Sequence, residues 1–123
     1  MLLKDFYQVK STQVIDAETW MINIELNPNH AVYEGHFPEQ PVLPGVGTLQ
    51  IIKEIVSSLL STSLYYRQIS SCKFISAINP RENAELEFTV ALKEEEKGQW
   101  QLKADGIAGS EPFIKLKGIL AEK

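Results

Sequence analysis

Apolar and polar residues alternate over most of this chain, the signature of strands with one dry face and one wet face. From Thr19 to Leu26, Trp20, Ile22, Ile24 and Leu26 fall on one side, and Thr19, Met21, Asn23 and Glu25 on the other. From Ala84 to Leu92, Leu86, Phe88, Val90 and Leu92 oppose Glu85, Glu87 and Thr89. Gln99 to Asp105 sets Trp100, Leu102 and Ala104 against Gln101, Lys103 and Asp105, and Ile114, Leu116 and Leu120 form the inner face of a last strand. Two weaker runs complete the set. Phe6 to Ile15 reads as a first strand, while Tyr65-Tyr66 opens another and Ile69 to Ile78 is a mixed run with room for a bulge, ending at Asn79-Pro80. Asn27-Pro28-Asn29 stops the second strand, His30 to Glu34 makes a short turn, and Gly109-Ser110-Glu111-Pro112 turns the chain near its end. The polar run Glu94 to Gly98 is expected to be a solvated hairpin turn.

The alternation gives way once, between Glu34 and Leu60. After His36 come Pro38, Pro41 and Pro44, three prolines by position 44. Each fixes its own φ and turns the preceding residue away from helix, so the loop is stiff. Proline also suits a helix start, and from Gly45 the apolar spacing becomes helical. At about 100° per residue, Leu49, Ile51, Ile52, Ile55, Val56, Leu59 and Leu60 cover roughly half the wheel. Gln50, Lys53, Glu54, Ser57, Ser58 and Ser61 take the rest, with Val46 and Thr48 as exceptions. So wide an apolar arc predicts a deeply embedded helix.

A meander of half-polar strands has one apolar face to cover, and a single long helix to cover it. The expected architecture is α+β, an antiparallel sheet curled around that helix, in one domain spanning residues 1–123. Pairing edge to edge in a dimer would hide one open edge. Twelve basic and sixteen acidic residues leave a net charge of −4, with no Lys/Arg run to mark a nucleic-acid face. Cys72, the single cysteine, excludes an intrachain disulfide, fits a reducing compartment, and is expected as a buried structural thiol. Nowhere do about 18 apolar residues run together, so a soluble, cytoplasmic protein is expected, with no membrane partner. Two histidines and one cysteine offer no metal-ligand spacing, and no glycine-rich phosphate loop or G-x-S-x-G elbow is present. A metal or other cofactor is not implied.

Gly35-His36-Phe37-Pro38 through Gln40-Pro41-Val42-Leu43-Pro44-Gly45-Val46 resembles the signature of the hotdog-fold beta-hydroxyacyl-acyl-carrier-protein dehydratases, the family that includes hydroxymyristoyl-type enzymes. That loop reads G-H-F-P-x-x-P-V-(M or L)-P-G-V and leads straight into the central helix. Asn29 to Glu34, and Cys72-Lys73-Phe74 onward to Leu92, are similar to the family's flanking segments. The resemblance covers most of the chain, with the opening strand and the last two matching only in pattern.

The resemblance implies that His36 removes the α-proton of a 3-hydroxyacyl thioester, a task suited to an imidazole titrating near neutrality. It implies that the Val42 carbonyl orients that ring, and that Phe37 and Val42 border the substrate. The Gly45 N–H would face the thioester carbonyl, where a helix start can stabilise an enolate oxygen and glycine allows close approach. Ordinary helix-start geometry explains Gly45 equally well. In the family the shared site takes its histidine from one subunit and its acid from the other.

Position 50 departs from the family. Fourteen residues after the histidine (50 − 36) the family carries Glu or Asp, which protonates the leaving hydroxyl; here it is Gln50. An amide donates hydrogen bonds but is no proton source near neutral pH. Glu54, one turn along the same polar arc, and Glu39 in the loop are the candidate substitutes. Both Gln50 and Glu54 also read simply as polar residues on a half-wet helix.

Three functions stay open. The first is dehydration of (3R)-hydroxyacyl chains on acyl carrier protein to trans-2-enoyl thioesters, with last-turn helix residues and inner strand faces lining the acyl path. The second is a thioesterase of the same fold. The third is a non-catalytic acyl-binding or dimer-partner subunit, forming a heterodimer with a related dehydratase that supplies the missing acid. The implied oligomer is otherwise a homodimer or higher assembly. An acidic acyl carrier protein would need a basic rim, for which Arg67, Lys73, Arg81, Lys115 and Lys117 are candidates by charge.

Overall fold

The computed structural model describes residues 5–34 and 41–123. Strands β1 (Tyr7–Asp16) and β2 (Thr19–Leu26) form a hairpin, followed by a 3₁₀ turn at Ala31–Tyr33 and helix α1 (Gly45–Leu60). Four long strands follow: β3 (Leu64–Phe74), β4 (Glu85–Glu96), β5 (Gln99–Ala108) and β6 (Glu111–Glu122). They make one antiparallel sheet in the order β1-β2-β4-β5-β6-β3, with α1 against its inner face. This is the hotdog arrangement.

The alternating residues go where their period sends them. Ile22, Ile24, Leu26, Leu86, Phe88, Val90, Leu102, Ala104, Ile114, Leu116 and Leu120 are all buried under α1. From the helix, Ile51, Ile52, Ile55 and Val56 close the core, each burial being worth about 1.5–3 kcal/mol. Leu49, Leu59 and Leu60 are only half-buried, at the margins of that arc. The two wheel exceptions resolve in opposite senses, with Thr48 2% exposed and Val46 77%.

The helix boundaries have local causes. Pro44 stands just outside the first turn with extended backbone, and its carbonyl accepts from the Thr48 N–H at 3.1 Å. At the other end Ser61 takes the left-handed conformation and the Thr62 N–H returns to the Ser57 carbonyl, closing the last turn. The stretch entering α1 is pinned by the Leu43 N–H, which donates to the Ile78 carbonyl at 2.8 Å.

Four expectations need correction. Glu94–Glu96 are not a turn: β4 runs through them, and only Lys97 and Gly98 turn. Backbone pairing to β5 continues past the last apolar residue because a ladder needs no apolar side chains. Likewise Glu111 and Pro112 belong to β6, leaving Gly109 and Ser110 as the turn. The mixed run belongs to a strand that starts at Leu64 and stops at Phe74, short of Ile78, with register shifts between Tyr66 and Gln68 and between Ile69 and Ser71. Cys72 is exposed, because β3 is an edge strand with a neighbour on one side only.

Candidate functional site

Of the residues singled out above, His36, Phe37 and Glu39 lie outside the described residues. Their flanks are fixed. On one side the 3₁₀ turn at Ala31–Tyr33 is capped by the His30 Nδ1, which accepts from the Val32 N–H at 3.0 Å. On the other, Pro41 and Leu43 are buried and Val42 is half-buried, running directly into Gly45. Pro44 offers no side-chain cap, and among the described residues none caps the start of α1, whose first N–H groups carry partial positive charge.

Gly45 sits under the ring of Phe74. A Cβ at position 45 would lie 2.9 Å from the Phe74 Cζ, so the absence of a side chain lets β3 reach the helix start. Phe74 is half exposed, and its register partner is the buried Ile114. Directly opposed residues share a face, so Phe74, Cys72 (opposite Leu116) and Ile69 (opposite Gly118) all line the inner face. The inner faces of β2, β4, β5 and β6 are packed shut by the core. Among the described residues, inner-face side chains stand open on both edge strands: on β1, where Val9 opposes the buried Ile24, and on β3 beyond Tyr66, where Phe74 lies beside the start of α1.

One turn into the helix, three side chains join. Gln50 Nε2 donates to Glu54 Oε2 at 2.7 Å, and the Tyr7 hydroxyl donates to Glu54 Oε1 at 2.9 Å. Residues 50 and 54 meet because four residues make one helical turn. Tyr7 reaches them as the first residue of β1. Burial raises the Tyr7 phenol well above its ordinary value, and the hydrogen bond and charge of Glu54 raise it further. It therefore stays protonated and donates to Glu54.

β3 is tied to the helix by the Tyr66 hydroxyl, which donates to the Leu49 carbonyl at 2.6 Å. Burial, and then the neighbouring Cys72, raises that phenol too. Partial burial also pushes the Cys72 thiol up, which keeps it protonated and a poor nucleophile. Tyr33, three residues before His36, is 3% exposed, and its hydroxyl finds no hydrogen-bond partner among the described residues. Burial pushes that phenol up to about 12.

The outer face carries like-charge pairs. Lys103 stands opposite Lys117, and Lys73 opposite Lys115, all four exposed, with Asp105 on the other side of Lys115, whereas Glu25 faces Glu85 across β2 and β4. A depression of about 510 Å³ among Asp16, Lys93, Lys103 and Lys117 takes no residue from α1, so it is separate from the Gln50 cluster.

The structure thus gathers Gly45, Gln50 and Glu54 along one helix and sets Val42 at its entry. Phe74, Tyr7 and Tyr66 complete the surroundings without a signal in the local pattern. Tyr7 is 47 positions from Glu54, and only folding brings them together.

Comparison with known proteins agrees with this architecture. The chain is 26% identical over 91 residues to a 3-hydroxyacyl-acyl-carrier-protein dehydratase FabZ from Jannaschia sp. (strain CCS1), covering 67% of this chain and 55% of that one. It is 29% identical over 100 residues to the FabZ of Allorhizobium ampelinum, covering 74% and 63%. The chain therefore spans little more than half the length of these curated relatives. Among solved structures, the dehydratase heterocomplex ApeI:P from Xenorhabdus doucetiae superposes with a TM-score of 0.72 at 24% identity, over 93% of this chain and 96% of that one. A hypothetical thioesterase with coenzyme A from Streptococcus pneumoniae TIGR4 gives 0.66 at 8% identity, over 95% and 85%. At such identities the structural matches establish the hotdog fold alone. A sequence profile covering residues 11–111, from β1 to the start of β6, adds the family: the chain belongs to the ApeI-like dehydratases.

Proposed function

We propose that this protein acts on (3R)-hydroxyacyl thioesters of acyl carrier protein in the manner of a dehydratase, giving trans-2-enoyl thioesters. The observation that carries the reading is the start of α1 at Gly45, uncapped among the described residues and followed one turn later by the Gln50–Glu54–Tyr7 cluster. In this reading His36 removes the α-proton while the Gly45 N–H receives the developing enolate oxygen. The Val42 carbonyl holds the imidazole, and Phe37 borders the acyl chain. The C–O bond to the hydroxyl then breaks. Gln50 has no proton to give, so the departing oxygen takes its proton from the imidazolium and leaves as water. The acyl chain lies along the open inner face of β3, over Phe74 and Ile69.

The free β3 edge suits a second chain. Tyr65, Ile69, Phe74 and Ile75 are large apolar residues left exposed there, and an uncovered edge strand invites pairing. Assembly through β3 would bring a second helix start toward the same open face. The paired lysines of β3, β5 and β6 are the rim proposed for an acidic carrier protein. Among the described residues no helix is long and apolar enough to cross a membrane, and a cytoplasmic site of action is proposed on the basis of the substrate class.

One observation favours a second reading. Because position 50 lacks an acid, the chain would serve as the partner subunit of a related dehydratase that provides one, and its structural neighbour from Xenorhabdus is itself a heterocomplex. An assay with 3-hydroxyacyl and saturated acyl thioesters side by side, with the protein alone and mixed with such a chain, tests these readings. Enoyl product from the chain alone, lost in His36→Ala, supports the first. Product only in the mixture supports the second. Cleavage of the saturated thioester would replace both with a thioesterase.

A further inference from the structure

We infer that Tyr7 and Glu54 are positioning residues that lock the Gln50 amide with its carbonyl outward, making the site selective for an acyl chain that carries a hydroxyl donor at C3. The inference rests on the acyl-thioester reading and extends it to the question of what an amide does where an acid is expected. Both oxygens of Glu54 accept hydrogen bonds, one from Tyr7 at 2.9 Å and one from Gln50 Nε2 at 2.7 Å. A carboxylate offers only acceptors, so the nitrogen of the Gln50 amide must face it; the reversed amide would set oxygen against oxygen.

Tyr7 fixes the carboxylate in turn. Its hydroxyl comes from β1, across the helix–sheet boundary, and prevents Glu54 from swinging out along the half-wet face of α1. The two bonds hold a four-residue step of helix and a strand in one arrangement. Gln50 Oε1 is the atom left over. It accepts no hydrogen bond from any described residue, and Gln50 is half-buried, so a ligand group reaching it must be a donor.

A 3-hydroxyl meets that requirement, and an unsubstituted methylene does not. A neutral hydrogen bond contributes a net 0.5–1.5 kcal/mol, which corresponds to roughly a 2- to 12-fold preference. Gln50 thus selects and aligns the leaving group without protonating it.

The experiment uses two unreactive pantetheine amides, one bearing a 3-hydroxyacyl chain and one the saturated chain of equal length. Their dissociation constants are measured calorimetrically for the whole protein and for Tyr7→Phe and Glu54→Gln. The native protein should prefer the hydroxylated ligand roughly fivefold. Tyr7→Phe, which keeps the ring and removes the donor, should reduce that ratio while leaving the saturated ligand's affinity unchanged. Glu54→Gln should do the same, since an amide at 54 accepts either orientation of Gln50. Melting curves confirm that each variant is folded, and Glu54→Gln stands as the second arm if Tyr7→Phe is not. Equal affinity of the native protein for both ligands, or a ratio that survives both substitutions, overturns the inference. Failure of both ligands to bind overturns the acyl-thioester reading itself, and the inference with it.

Discussion

Phe74 closes over Gly45, with ring atoms 2.9 to 3.4 Å from where a Cβ would stand. The contact shows what the missing side chain makes room for, and it separates two roles that glycine has there. The ring is half exposed and can tilt aside. Gly45→Ala is therefore expected to fold, with stability changed by no more than about 1 kcal/mol, since helix propensity offsets the crowding. If the Gly45 N–H receives the thioester oxygen, the same methyl blocks its approach and turnover falls more than about tenfold, as for loss of one such donor. Melting temperature and turnover measured together decide the point; unchanged turnover means Gly45 serves helix geometry alone.

Gln50→Glu should change the pH dependence of stability in a defined direction. It puts a second carboxylate about 2.7 Å from Glu54 Oε2, and two carboxylates at that distance hold one proton between them. The pair's upper pKa is raised in the folded state, so the native form binds more protons than the unfolded chain. The variant should match the native protein below the ordinary carboxylate range and lose stability as the pH rises through the raised value. Urea unfolding from pH 4 to 8 follows this. The retained proton also restores an acid at position 50, so dehydration should accelerate, within the roughly 10²–10⁴ range of general acid catalysis. Equal pH profiles for the two proteins would mean that the side chains part in solution.

The helix and the inner strands were legible in the chain because their periods, 3.6 and 2, persist for many residues. β2 begins and ends where the alternation does. β3 was legible only in part: its opening at Tyr65-Tyr66 and a mixed run with a bulge could be read, but two register shifts break the period and blur where the strand ends. The inward orientation of Cys72 follows from its pairing with Leu116, but orientation is not cover, and an edge strand has a neighbour on one side only. Gly45 and Gln50 stood out through spacing in a recognisable loop. Tyr7 did not, because a phenol at the start of a strand acquires its role only from a helix residue distant in sequence.

Gly118 should be intolerant of substitution for a backbone reason. A Cβ there would collide with the Gln68 carbonyl oxygen, at the shift in β3 register. A side-chain obstacle can rotate away, but a carbonyl held in a strand cannot. Gly118→Ala is expected to lose about 2 kcal/mol or more and to disturb β3 before the rest of the sheet. Hydrogen exchange of the β3 amides against those of β4 tests this; uniform protection loss would contradict the local origin.

Tyr33→Phe should stabilise the protein. The hydroxyl is buried without a partner among the described residues, and such a group carries a desolvation penalty of about 1–3 kcal/mol. The alkaline limb should change as well. With the folded phenol at about 12 and the unfolded one near 10, its protonated state favours the native form up to about pH 10. That contribution is lost as the pH rises from 10 to 12, by about 1.4 kcal/mol per pH unit. The variant should therefore show a shallower decline over that interval in denaturant titrations. A destabilised variant at neutral pH would instead reveal a partner for the hydroxyl in solution.

Lys117 faces Lys103 across β5 and β6 while Lys115 faces Lys73 across β6 and β3, so like charges oppose each other along three neighbouring strands. All four lie exposed, and none forms a salt bridge within the described residues. Cross-strand charge pairs are worth roughly 0.2–1 kcal/mol, with the sign set by the charges. Lys117→Glu converts one repulsive pair into an attractive one and should raise stability by up to about 1 kcal/mol at low salt. The gain should shrink as added salt screens exposed charges beyond a Debye length of about 10 Å at 0.1 M. If these lysines receive an acidic carrier protein, the same substitution weakens carrier binding and flattens its salt dependence. The two measurements then move in opposite directions. A variant with unchanged stability at low salt would show that the lysine side chains splay apart. One that gains stability and keeps full carrier affinity would place the carrier elsewhere on the surface.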